Sequence, residues 1–272
     1  MLVNVPVTLC SGQPAHFIYS QKDGRFYRAL NNKIIWVGQK GSSFNSSNKA
    51  YFNELFNSQL SLEKVYKAIS TDAFMRKAVG DFQGLRVTKN DVWETACCFI
   101  LSSNNSLQNI RNATQNLMKA FGGKTDGLHE FPAIDSIAKA NLNSLKKCKC
   151  GFRADYLKQA AKSIKENEWI LNEKNPEAIH DFFISLKGIG PKITQAILLF
   201  GYGFLDAFPI DVWVERGMAK HYFGNRKASH ALITAKAGKL WHPFEGIAQQ
   251  YLYYEFVKDK AKPSSMVCFP NK

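Results

Sequence analysis

The segment LKGIGPKITQAILLFGYGFLDAFPIDVWVER, residues 186–216, carries an amine and a carboxylate that could act on one atom. Lys192 follows a glycine turn at the start of a helix-forming run, where the helix dipole disfavours a cation. Partial burial there lowers a lysine pKa, and a neutral lysine is a nucleophile able to form a Schiff base with a sugar carbon. Asp211, nineteen residues further on, starts another helix after Pro209-Ile210. A carboxylate folded back towards the amine would stabilise positive charge developing on a sugar ring. Both residues also have plainer uses: Lys192 as a phosphate contact, Asp211 as an ordinary N-cap.

Two helices must hold this pair. FFISL ends one, KGIGP turns, and KITQAILLF begins the next. Gly188 and Gly190 permit backbone geometry closed to other residues and close approach by a ligand, and Pro191 suits a first helical position. Free N–H groups at such a turn hold a phosphate. The pattern is a helix-hairpin-helix, a module that grips DNA by its backbone, although a plain helical corner has the same local signature.

The rest of the chain reads as a small sheet followed by helices. HFIYSQ, RFYRAL and KIIWVGQ, between turn signals, make residues 1–40 strand-rich. GSSFNSSN, residues 41–48, reads as a loop and a boundary. Helical spacing then persists: Leu107, Ile110, Ala113, Leu117 and Phe121 recur on one face, with Gly122 as a cap. The expected fold is α+β: a small N-terminal antiparallel sheet over residues 1–48, a helical body with the helix-hairpin-helix over 49–258, and a weakly ordered tail over 259–272.

Composition narrows the partner. The 272 residues include 36 Lys plus Arg against 22 Asp plus Glu, a formal charge of +14. That excess favours a polyanion, either nucleic acid or an acidic membrane surface. Without a long apolar run or a basic leader, the expected address is inside the cell, with no membrane partner. The six cysteines, Cys10, Cys97, Cys98, Cys148, Cys150 and Cys268, lack the paired spacing of a zinc site and read as reduced structural residues.

With these residues in view, a resemblance is specific. Leu186-x-Gly188-Ile189-Gly190-x-Lys192 followed by Pro209-Ile210-Asp211-Val212 resembles the hairpin and catalytic aspartate of the helix-hairpin-helix DNA glycosylases. Ser11-Gly12-Gln13, Phe82-Gln83-Gly84-Leu85-Arg86, Ser102-Ser103-Asn104-Asn105 and Gly151-Phe152-Arg153-Ala154 resemble segments of the 8-oxoguanine DNA glycosylases, in the same order over roughly residues 8–258. No four-cysteine cluster follows the hairpin, which disfavours the iron–sulfur branch.

The resemblance implies excision of 8-oxoguanine from duplex DNA by a monomer, with Lys192 attacking the sugar and then allowing β-elimination while Asp211 stabilises the sugar cation. It implies no cofactor and no catalytic metal; hairpin carbonyls are able to hold a structural cation. The backbone of Gly188 and Gly190 would hold DNA phosphate. The Gly12 carbonyl would accept the extra ring hydrogen of the lesion, Gln249 would bond the base edge, and Tyr253, sharing a helix face with Gln249, would stack on the ring. Asn104, Phe152 and Arg153 would fill the gap and contact the orphaned base. The sequence departs from the family at Asn109, often arginine, at Ala196, often cysteine and here expected to thin the second stacking wall, and at Trp213, often histidine. The implied address is the nucleoid in a bacterium or the nucleus in a eukaryote. An alkylated-purine glycosylase and a non-catalytic DNA-binding protein are the alternatives. Lys192 argues against the first, because one-step hydrolytic members act without that lysine.

Overall fold

The computed structural model describes residues 2–14, 16–40 and 43–257. The tail and Cys268 lie outside them. The chain opens with a short helix, α1 (Val5–Leu9), where strands were expected. Its signals are local: the Asn4 side chain accepts from Val7 N–H and Pro6 sits in the first turn.

Four strands follow, β1 (Ile18–Ser20), β2 (Arg25–Leu30), β3 (Lys33–Lys40) and β4 (Ser43–Ser46), paired antiparallel in sequence order. The stretch expected as a loop therefore contains an edge strand. Its pairing with β3 (Gln39 opposite Phe44) supplies what its Ser/Asn composition does not advertise. Phe44 packs on Phe52 and Phe56, which belong to α2 (Lys49–Leu55) and its C-cap. The small core of Val3, Val5, Leu9, Phe26, Val37, Phe52, Leu55 and Phe56 thus runs past residue 48. The packing unit built on the sheet includes α2, because its aromatic residues are buried against the sheet and the N-terminal segment.

The helical body comprises α3 (Leu62–Ile69), α4 (Ala73–Asp81), α5 (Val92–Leu101), α6 (Leu107–Phe121), α7 (Ile134–Lys139), α8 (Leu142–Leu145), α9 (Arg153–Glu166), α10 (Pro176–Ser185), α11 (Pro191–Ile197), α12 (Val212–Tyr222), α13 (His230–Trp241) and α14 (Glu245–Val257). Its core is continuous from Val65 to Tyr254. α5 is buried nearly all round, so it forms the spine on which the site is built. None of the described helices is long and apolar enough to cross a membrane.

Two buried arginines tie the N-terminal part of the chain to the body. Arg28 of β2 donates to Glu94 of α5 at 2.9 Å and to the Tyr51 hydroxyl at 2.9 Å. Arg86 donates to the carbonyls of Leu2, Asn57 and Leu60 at 2.9, 2.9 and 3.1 Å. Beside it Gly84 has φ +87°, and a Cβ there would stand 2.8 Å from the Asn4 nitrogen. The Phe82–Arg86 motif therefore acts as a clasp that fixes the N-terminal segment.

Candidate active site

α10 and α11 form the expected hairpin. Gly188 has φ +86°, and a Cβ would lie 2.3 Å from the Tyr156 ring, so both conformation and space demand glycine there. Gly190 is different. Its φ is −107° with ψ −179°, ordinary extended backbone, and nothing lies within 4 Å of a Cβ built on it. Gly190 does not use the backbone freedom that glycine permits; what its lack of a side chain provides is open access to the turn. Pro191 opens α11 as expected.

α11 carries Lys192 to the wall of a cavity of about 140 Å³, close to the ~150 Å³ engineered cavity that accepts a benzene ring. Asp211 lines the same cavity, with Gly12, Gln249 and Tyr253. Five residues spread from position 12 to position 253 thus meet around one ring-sized space. Burial lowers the Lys192 pKa from its ordinary value, and the nearby Asp211 charge opposes that shift. Burial pushes the Asp211 carboxyl above its ordinary range, against hydrogen bonds from Val214 N–H and Trp213 N–H and the pull of Lys192. Both shifts favour the neutral forms, the direction that makes an amine nucleophilic. Asp211 is also the N-cap of α12, its Oδ1 accepting from Trp213 N–H at 2.9 Å and Val214 N–H at 2.8 Å. One carboxylate therefore fills both roles that the sequence allowed.

Gly12 sits on a loop at φ +78°, with Leu107 Cδ2 3.3 Å from a Cβ built on it. Its neighbour Gln13 pins this loop: Nε2 donates to the Arg86 carbonyl at 2.8 Å, and Oε1 accepts from Thr88 N–H at 2.7 Å and the Thr88 hydroxyl at 3.0 Å. Gln249 is buried, with Oε1 accepting from Gln250 Nε2 at 2.6 Å. Burial pushes the Tyr253 phenol up to about 12, with the Asp211 charge acting the same way, so it presents a neutral ring.

Ala196 is fully buried and does not line the cavity. Four residues along α11 from Lys192 is about 6 Å further along the helix axis. The position contributes no stacking wall. Phe99 and Phe200 line the cavity instead, stacked on each other at 5.5 Å between centroids.

The three gap-side residues lie together, Asn104 and Phe152 exposed and Arg153 buried beneath them. Asn104 is exposed in a left-handed turn (φ +46°), and Phe152 is 56% exposed despite its apolar ring. Arg153 spans them: its guanidinium lies 4.3 Å over the Phe152 ring, while Nε donates to Ser103 O and Nη2 to Asn104 O, both at 2.8 Å. Arg153 was expected to address an orphaned base. In this structure Nε and Nη2 are committed to the loop carbonyls, so it braces the Asn104 turn and leaves Nη1 for other contacts. Asn109 is exposed on the first turn of α6, its N–H held by Ser106 Oγ at 3.2 Å. Arg111, two residues on, faces the cavity instead.

Sequence reasoning missed several lining residues, among them Phe99, Phe200, His16, Arg111 and Ser102. Ser102 and Arg111 stood in or near a motif; the phenylalanines carried no local signal at all. Cys98, expected as plain core, also lines the cavity, its Sγ 2.9 Å from His16 Nε2. The five described cysteines are buried, and no disulfide joins them.

An amine on the helix-hairpin-helix and a carboxylate at the start of the next helix share one ring-sized pocket, and family models match nearly the whole chain. Residues 97–243 match the HhH-GPD superfamily of base excision DNA repair proteins, to which the chain belongs; residues 2–96 match the 8-oxoguanine DNA glycosylase N-terminal domain. Among individual relatives, it is 25% identical over 220 residues to an N-glycosylase/DNA lyase of Saccharomyces cerevisiae, covering 73% of this chain and 57% of the yeast protein. It superposes with TM-score 0.88 at 27% identity on MBOgg1, solved in complex with a low-affinity DNA ligand (95% of this chain, 93% of the other). It superposes with TM-score 0.82 at 25% identity on the apo-form of Clostridium acetobutylicum 8-oxoguanine glycosylase/lyase (93% of each chain).

Proposed function

We propose that this protein removes 8-oxoguanine from duplex DNA and then opens the strand at the resulting abasic site. The observation that carries the reading is the meeting of Lys192 and Asp211 in one cavity with Gly12, Gln249 and Tyr253. A base inside a duplex cannot reach such a cavity, so the nucleotide must rotate out. The exposed Phe152 and the Asn104 turn are placed together at the surface, where side chains could occupy the vacated space.

The chemistry follows from the pair. The neutral Lys192 amine forms a bond to the anomeric carbon as the bond to the base breaks, the electron pair leaving with the base. The amine gives up a proton, the sugar ring opens, and an iminium results. Loss of a C2′ proton then expels the 3′ phosphate by β-elimination. Asp211 stabilises the positive charge on the sugar in the first step and on nitrogen afterwards. Discrimination would rest on the Gly12 carbonyl: an acceptor there bonds the N7–H of the lesion and opposes the bare N7 of guanine. The hairpin backbone at Gly188 and Gly190 would take a DNA phosphate. A structural cation at that turn would be held by backbone carbonyl oxygens, donors that fit a hard ion, and it would serve no chemical step.

Borohydride trapping on an 8-oxoguanine duplex tests the reading. Wild type should form a covalent adduct, and Lys192→Gln should form none while still binding DNA. Adduct formation by the glutamine variant at wild-type yield would remove Lys192 from its role.

A further inference from the structure

The Lys192 amine ends a side chain with four rotatable bonds, and its own helix does not fix the tip. A contact from α5 does. Nζ lies 2.9 Å from Oγ of Ser102, ninety residues earlier, at the C-cap of α5. The single hydroxyl proton of Ser102 is directed elsewhere, donated to the Phe99 carbonyl at 2.7 Å. Ser102 therefore presents only lone pairs to Nζ, so the serine accepts and the lysine donates.

Granted that Lys192 is the nucleophile, we propose that Ser102 is its positioning residue. The polarity of the contact is the point. A serine that donated to a neutral amine would occupy the electron pair needed for attack. Because the Ser102 proton is held by Phe99 O, one amine N–H is anchored and the nitrogen lone pair is left for the sugar. Phe99 flanks the amine as well, its ring centroid 5.6 Å from Nζ. The last turn of α5 thus orients an amine brought in by α11, so that less side-chain freedom remains to be lost at the moment of attack.

The same contact has a second consequence. An acceptor stabilises the ammonium more than the amine, so it holds the Lys192 pKa up, against burial. Removing it lowers that pKa while releasing the tip. Ser102→Ala should therefore do two things at once in single-turnover release of 8-oxoguanine from a duplex. The high-pH plateau should fall about ten- to a hundredfold, the scale of a misplaced reacting group, and the acid limb of the pH–rate profile should move to lower pH. Ser102→Thr, which keeps the hydroxyl, should restore both. The backbone N–H of Ser102 still bonds the Cys98 carbonyl at 3.0 Å in every variant, so the melting temperature should change little. An alanine plateau within about twofold of wild type, a slow alanine variant with an unmoved acid limb, or a threonine variant as slow as alanine would each overturn the inference. A wild type that releases no 8-oxoguanine would overturn the proposed function instead, so the two failures are distinguishable.

Discussion

Asp211 offers a substitution that separates charge from structure. Its Oδ1 caps α12 through two backbone bonds of 2.8–2.9 Å, and an asparagine oxygen can accept the same bonds. Asparagine and aspartate are nearly equal as N-caps, whereas alanine there costs about 1 kcal/mol, or about 2–4 °C in melting temperature for a chain of this size. The charge has the opposite thermodynamic sign. Burial raises the Asp211 pKa above its ordinary value, so holding the carboxylate ionised at neutral pH costs folding free energy. Asp211→Asn should accordingly melt at or slightly above the wild-type temperature, and Asp211→Ala below it. Activity should fall in both, by roughly a hundred- to a thousandfold, the loss typical of one charge-stabilising group. The residual activity of the asparagine variant should show its acid limb at lower pH, because the Lys192 amine loses the charge that holds its pKa up. Single-turnover excision across pH, paired with thermal melts of wild type and both variants, measures all of this. Normal excision by Asp211→Asn, or a melting temperature as low as that of the alanine variant, would show that Asp211 is a cap alone or that the cap is not transferable.

His16 should make stability pH-dependent. Burial lowers its pKa from 6.5 to about 4, so the folded state holds it neutral. Its stabilising contribution is complete above about pH 6.5 and declines as pH falls towards 4, by roughly 3 kcal/mol in all. Denaturant titrations from pH 7 to 4.5 should show this slope, and His16→Gln should flatten it; identical slopes in the two proteins would refute the assignment. Discrimination of the opposite base should be loose, because Asn109 is uncharged and Arg153 is drawn onto the loop carbonyls. Asn109→Arg should widen the preference for cytosine by about one contact, roughly 1–3 kcal/mol, measured as excision rates on four duplexes differing only in that base; an unchanged spread would show that α6 does not face it.

Much of the site was legible because its signals are local. Glycine at 188, proline at 191, lysine at 192 and aspartate at 211 each carry information within one helical turn, and capping and chain reversal are short-range physics. The same holds for the i, i+4 pair Gln249 and Tyr253, which do share the cavity face. Alternation in β2 and β3 was readable for that reason, while β4 was not: a Ser/Asn strand exists only by pairing with its neighbour. Gly190 shows the converse, a motif glycine whose backbone turned out to be ordinary. What only the tertiary structure decided is which side chains oppose Lys192 and Asp211. The Phe99–Phe200 wall, the Ser102 anchor on Lys192, the brace of Arg153 under Asn104 and the burial of Ala196 depend on how α5, α9 and α11 pack. These contacts join residues up to about a hundred positions apart, and their partners are set by the volume each core side chain must fill. Packing of that kind leaves no periodic trace in the chain.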